Sequence, residues 1–274
     1  VYKRQIIGCC LLGSSLIRRI SKTKIKKKIY IYEKSKSNIA KIKKLKLPGI
    51  IIKKLEDGII KSDLIILCTP MSAYKNLILK MNKFLSPRTI MTDIGSSKIE
   101  SSKIIKKFLR KDIFWTQSHP IAGSEVSGPE HGKQDIFENK WCVLIKEKNT
   151  KKIHLNLLNK FWKKIGSKVA VMTPEKHDKI FSITSHLPHL IAYNLVKSAQ
   201  DFEKIQNFDL IKYSAGGLRD FSRIAASNEI MWRDIFFNNK QNISKAIDLF
   251  IKNLNSFKKD INSKNNRSIL KKLI

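Results

Sequence analysis

Acidic residues are scarce in this 274-residue chain: 22 Asp and Glu face 55 Lys and Arg, a formal net charge of +33. So basic a balance points first to nucleic acid. Arginine is scarce as well, nine against 46 lysines, and the planar guanidinium fork is what base and phosphate readout favours. The lysines are spread from Lys3 to Lys272, many at positions expected to be solvated helix faces, so the charge reads as compositional drift rather than a binding footprint. Cysteine is limited to Cys9, Cys10, Cys68 and Cys142, in or beside apolar strand-like runs, with no CxxC and no metal-ligand spacing. Buried thiols in a reducing cytosol are therefore expected, and no metal. No apolar run reaches the roughly 18 to 20 residues that cross a bilayer. Lys3 and Arg4 ahead of an apolar stretch imitate a signal peptide, but Gly13, Ser14 and Ser15 interrupt it, Arg18 and Arg19 close it, and no small-residue cleavage site follows. An initiator methionine is also missing. The opening Val-Tyr-Lys-Arg-Gln resembles a translated library adaptor, so the natural chain is expected to begin upstream of Ile6.

What is present is a repeated strand–helix pattern. Residues 5–9 form a short apolar run ending in a glycine turn, followed by helix-compatible residues 11–20. Residues 28–32 alternate Ile and Tyr as a second strand, and 62–70 and 89–93 are apolar runs suited to strands buried on both faces. Residues 98–109 read as an amphipathic helix, and strands at 141–146 and 167–172 flank a helix at 155–165. Strands recurring with helices between them argue for βαβ units and a doubly wound parallel sheet. After Thr173-Pro174 the segments 175–200, 208–214, 218–226 and 229–257 carry apolar residues three and four apart. The expected organisation is α/β over residues 1–172 and all-α over 173–274, with residues 258–272 a frayed helix and no internal repeat.

Gly8-Cys9-Cys10-Leu11-Leu12-Gly13 has the strand–turn–helix setting of the Rossmann fingerprint, in which the helix N-terminus receives a pyrophosphate. Glu33, at the end of the second strand, is placed to accept bonds from the adenosine ribose, which favours NAD; Lys34 and Lys36 leave NADP open. The middle glycine is replaced by Cys10, whose side chain is expected to push a cofactor outward.

Four downstream segments carry polar residues that a plain core does not require: Thr92-Asp93-Ile94-Gly95-Ser96-Ser97-Lys98; Ser118-His119-Pro120-Ile121-Ala122-Gly123-Ser124-Glu125; Thr184-Ser185-His186-Leu187-Pro188-His189; and Gly216-Gly217-Leu218-Arg219-Asp220-Phe221-Ser222-Arg223-Ile224-Ala225. In order and approximate spacing these resemble the prephenate/arogenate dehydrogenase family of tyrosine biosynthesis, from Ile6 to about Asp234. The resemblance implies a Rossmann domain, a helical dimerisation domain, a homodimer, and NAD(P)-dependent oxidative decarboxylation of prephenate or arogenate. It makes His119 the base that takes the substrate hydroxyl proton, a task suited to an imidazole, and Ser96 its hydrogen-bonding companion. Arg223 becomes the carboxylate anchor. His189, Ser124, Glu125, Gly216 and Asp220 are the further substrate contacts, with Glu125 and Asp220 in an ion network. Cofactor contacts fall to Gly8, Cys10, Leu11, Gly13, Glu33, Thr69 and Ser96. Trp232 is open between core and site. The alternatives are another Rossmann dehydrogenase with a helical C-domain, such as a hydroxyacid or imine reductase, and a non-catalytic relative that binds nucleic acid through its charge.

Overall fold

The computed structural model describes residues 3–23, 28–207, 209 and 211–273. Six strands, β1 (Lys3–Ile7), β2 (Lys28–Tyr32), β3 (Ile50–Ile51), β4 (Leu64–Leu67), β5 (Ile90–Asp93) and β6 (Phe114–Trp115), form one sheet in the order β3-β2-β1-β4-β5-β6. Every neighbouring pair is parallel. Parallel neighbours need crossovers, supplied by α1 (Leu11–Lys22), α2 (Lys36–Lys44), α3 (Leu55–Ile59), α4 (Tyr74–Met81) and α5 (Ile99–Phe108). Successive side chains point to opposite faces of a strand. Ile6 and Ile66 accordingly join a core with Leu16, Ile17 and Trp162, while Ile7 and Ile65 join another with Tyr74, Met81 and Ile235. Chain order reverses between β1 and β4, and the crevice beyond their carboxyl ends is where such sheets take ligands.

A second, three-stranded sheet was not legible beforehand: β7 (Ser118–Pro120) runs antiparallel to β8 (Trp141–Ile145), which pairs in parallel with β9 (Lys168–Met172). The crossover between the last two is α6 (Lys152–Lys164). Every regular element described beyond Met172 is helical: α7 (Pro174–Phe181), a π turn (Ser182–His186), α8 (Leu187–Gln206), a 3-10 turn (Ile211–Tyr213), α9 (Gly216–Ala225), α10 (Glu229–Asn238), α11 (Lys240–Asn262) and α12 (Asn266–Leu273). Phe208 and Leu210, part of one expected helical segment, lie outside the described residues. The Lys/Asn-rich end, expected to fray, instead folds back: Asp260 on α11 accepts bonds from Ser268 (2.6 Å) and Lys272 (2.5 Å). No helix among the described residues is long and apolar enough to cross a membrane.

Candidate active site

The turn after β1 shows why two of its glycines are required. Gly8 has φ +90°, and a Cβ there would lie 2.6 Å from the Cys68 carbonyl oxygen. A Cβ on Gly13 would overlap the Gly8 carbonyl oxygen, so α1 could not approach the strand. Position 10 makes no such demand. Cys10 is extended (φ −81°, ψ −152°) and exposed at the N-cap of α1, with Leu11 beginning the helix behind it. No acidic side chain belongs to the first turn, so no carboxylate of the helix itself competes for its N–H groups. Glu33 is held by two backbone donors, Cys9 N–H to Oε2 (2.8 Å) and Ser35 N–H to Oε1 (2.9 Å). Beside Gly8, the Thr69 hydroxyl is buried without a partner. A cradle that any Cβ would fill, an open helix N-terminus, a fixed carboxylate and an orphaned hydroxyl together fit a dinucleotide.

At the end of β5, Asp93 gathers the loop that carries Ser96. Its Oδ2 accepts from Tyr74 Oη (2.9 Å), Gly95 N–H (3.1 Å) and Lys98 Nζ (2.8 Å), and its Oδ1 from Trp115 Nε1 (3.3 Å). Both Lys98 and Asp93 are fully buried, and Lys98 Nζ also donates to the Ser118 carbonyl (2.7 Å), the residue before His119. An ionic pair this deep needs further hydrogen bonds to offset its desolvation, and the Ser118 carbonyl supplies one to the ammonium. One buried ammonium thus ties the Ser96 loop to the His119 strand.

His119, in β7, is buried, with 8% of its surface exposed. Its Nδ1 lies 2.8 Å from His177 Nε2, and His177 Nδ1 lies 2.8 Å from Asp178 Oδ1. Asp178 also accepts the Lys98 N–H at Oδ1 and the Ile99 N–H at Oδ2, both at 2.8 Å. Burial, then the neighbouring His177, Lys98 and His186, push the His119 pKa well below the ordinary histidine value. The imidazole is therefore neutral at neutral pH, the form a proton acceptor needs.

The π turn sets the remaining histidines. Pro188 has no N–H, and Leu187 N–H reaches back five residues to Ser182, widening the helix for one turn. His186 is buried, with Asn239 Nδ2 donating to its Nδ1 (3.1 Å). Burial pushes its pKa down to about 4 against the opposing influence of Asp178 and the Ser96 backbone. His189 donates from Nδ1 to the Ser185 carbonyl (2.9 Å) and stacks on Trp232 at 3.7 Å. Trp232 is thus both core and site-facing support, packed with Met71 and Ile235 beneath His189.

Arg223, the expected carboxylate anchor, is not buried within this chain. Its side chain is 55% exposed, with Nη1 3.6 Å from Glu125 Oε2 and Nη2 3.9 Å from Asp220 Oδ1. The physical reason is that α9 buries no residue within this chain. Ser124, Asp220 and Gly216 are exposed as well, and nothing lies within 4 Å of a Cβ built on Gly216. The candidate residues fall into three groups: the turn with Gly8, Cys10, Leu11, Gly13, Glu33 and Thr69; Ser96, His119 and His186 around Asp178; and the rim with Glu125, Asp220 and Arg223. Sequence reasoning missed Asp93, His177, Asp178 and Asn239. A signal existed for two of them: positions 174, 177, 178 and 181 form the buried stripe of α7, so His177 and Asp178 stand where apolar residues belong. Among the described residues no group of His, Cys, Asp or Glu could hold a metal ion.

Two family models match the chain: the nucleotide-binding domain of prephenate dehydrogenase over residues 16–171, and its dimerisation domain over 173–274. Cyclohexadienyl dehydrogenase of Zymomonas mobilis is 31% identical over 265 residues, covering 97% of this chain and 90% of that protein. Prephenate dehydrogenase of Bacillus subtilis is 29% identical over 258 residues, covering 92% and 68%. The crystal structure of A. aeolicus prephenate dehydrogenase in complex with hydroxyphenyl propionate and NAD+ superimposes with a TM-score of 0.92 at 34% identity, covering 100% of this chain and 95% of that one.

Proposed function

The chain belongs to the prephenate dehydrogenase family, and from that membership we infer that it oxidises prephenate or arogenate with NAD as acceptor and with loss of CO₂ from the ring. The observation that carries the reading is a buried, neutral His119 tied through Lys98 to the Ser96 loop at the carboxyl ends of β4 and β5. When bound, nicotinamide supplies the hydride acceptor. His119 takes the hydroxyl proton as the carbinol carbon loses hydride, and Ser96 hydrogen-bonds the same oxygen. Breaking the bond to the ring carboxylate then releases CO₂ and leaves an aromatic ring, which drives the reaction forward. Arg223 at the rim anchors the carboxylate, with Glu125 and Asp220 holding the guanidinium until substrate replaces them. His189, propped on Trp232, and Ser124 complete the substrate contacts. Glu33, fixed by two N–H groups, offers a carboxylate to the ribose hydroxyls and repels a 2′-phosphate, which supports NAD over NADP.

The second family model is that of a dimerisation domain, and the helical region beyond residue 172 leaves Phe202, Ile205, Leu249 and Leu254 exposed in the single chain. A homodimer that covers such surface is the assembly these features support. The four free thiols, three of them buried, suit a reducing cytosol.

The test is NADH formation with prephenate and arogenate, using NAD and NADP in parallel. Turnover with one or both substrates and NAD is expected; none with either overturns the reading. Arg223→Ala is expected to raise KM by about tenfold, equivalent to roughly 1.4 kcal/mol for a half-exposed anchor, while kcat changes far less. An unchanged KM removes the anchor assignment.

A further inference from the structure

We propose that His177 and Asp178 are positioning residues that fix His119 in the tautomer with its proton on Nδ1, so that Nε2 is the base. The inference rests on the reading of His119 as the proton acceptor, and the hydrogen-bond ladder carries it. Asp178 is met by two backbone N–H donors, from Lys98 and Ile99, and by the His177 Nδ1 atom, each at 2.8 Å. An ionised carboxylate has only lone pairs to offer, so a ring nitrogen in contact with it has to donate. His177 must then carry its proton on Nδ1, the atom facing Asp178, which leaves a lone pair on Nε2. That lone pair faces His119 Nδ1 at 2.8 Å, and the contact is a hydrogen bond only if His119 Nδ1 is the donor. The proton position on His119 is thus set two residues away, by a carboxylate on the first turns of α7.

The reverse ladder has a definite cost. With the proton on His119 Nε2, its Nδ1 and His177 Nε2 would present two lone pairs to each other in a buried contact, unless His177 turned a proton away from Asp178. A doubly protonated His119 is disfavoured by burial and by the Lys98 ammonium, whose Nζ sits on the Ser118 carbonyl. Phe181 closes the apolar side of both rings, at 4.9 Å from His119 and 4.4 Å from His177. Asp178 has a second hold on the site: its bonds to Lys98 N–H and Ile99 N–H register the Ser96 loop against the same carboxylate that orders His119. Asn239 Nδ2 donates to the Asp178 carbonyl oxygen and to His186, fixing α7 from the other side.

The experiment is ¹⁵N NMR of histidine-labelled full-length protein without substrate, with kinetics of variants beside it. The wild-type His119 signals are expected to show a protonated Nδ1 and an unprotonated Nε2. His177→Gln, whose amide oxygen can still accept from Nδ1, is expected to keep that tautomer and stay within about tenfold of wild-type kcat. His177→Leu removes the acceptor and is expected to mix the tautomers and to lower kcat below that of the glutamine variant in proportion to the Nε2-protonated fraction, with KM little changed. Asp178→Asn gives the same signature by a second route should the leucine variant melt early by circular dichroism. A wild-type His119 protonated on Nε2 overturns the proposal, as does a folded His177→Leu variant with the wild-type tautomer and kcat. Failure of the wild-type enzyme to oxidise either dienol acid is a separate outcome that strikes the functional reading and leaves the NMR result standing.

Discussion

Position 10 sets an exposed side chain on the N-cap of α1, where the fingerprint turn is expected to bring a pyrophosphate. The extended backbone of Cys10 suits any L-residue, so the glycine that the fingerprint prefers there is not needed to make the turn, as it is at Gly8. What Cys10 adds is a CH₂SH group on the N-cap of α1, within the space a pyrophosphate approaches. Removing it should let the phosphates sit closer to the first-turn N–H groups without altering the fold. Cys10→Gly is therefore expected to tighten NAD binding by about tenfold, equivalent to roughly 1.4 kcal/mol, with kcat little changed. A fluorescence titration of NADH checks it, and an unchanged affinity would mean that the thiol stands clear of the phosphates.

Among the elements, β1 breaks its own rule. A central parallel strand is buried on both faces and is expected to be apolar throughout, yet β1 opens Lys-Arg-Gln before its two isoleucines. Arg4 is 4% exposed, between Ile29 of β2 and Leu64 of β4, with Nε and Nη1 unpartnered. Burial lowers its pKa, against the opposing influence of Asp63. Replacing a buried, poorly paired charge with an apolar β-former stabilises. Arg4→Val is expected to raise the melting temperature by several degrees, at roughly 2 to 4 °C per kcal/mol for a chain of this size; a lower one would show that Arg4 has found compensation in Asp63 and the Phe161 ring. The same contrast explains what the sequence could show. β4, Leu-Ile-Ile-Leu, was readable because a strand sandwiched between helices is a continuous apolar run. β7 was not, because Ser118-His119-Pro120 has neither alternation nor length and becomes a strand only by pairing with β8. Ser96, His119 and Arg223 stood out through the segments around them. His177 and Asp178 share a stripe with Pro174 and Phe181, but the sequence does not show which tertiary partner lets a polar pair be buried there.

For the whole molecule, the charge of +33 acts twice, in opposite directions. A field of that sign should draw in an anionic substrate, and on the proposed reading Arg223, half exposed, is where it would be received. The same charge on two copies opposes their association, so exposed apolar side chains such as Ile205 and Leu254 are the expected contact that overcomes the repulsion. Salt shortens the screening length from about 30 Å at 0.01 M to about 10 Å at 0.1 M, and the two effects should separate. Raising NaCl from about 10 to 300 mM is expected to lower kcat/KM several-fold at dimer-saturating enzyme concentration, because steering weakens, while kcat holds. Over the same range sedimentation should show the dimer tightening, because two like-charged surfaces are being screened while the buried apolar contact is not. A dimer that falls apart as salt rises would place ion pairs, rather than the exposed apolar residues, at the centre of the interface; a kcat/KM indifferent to salt would confine recognition of the anion to contacts inside the site.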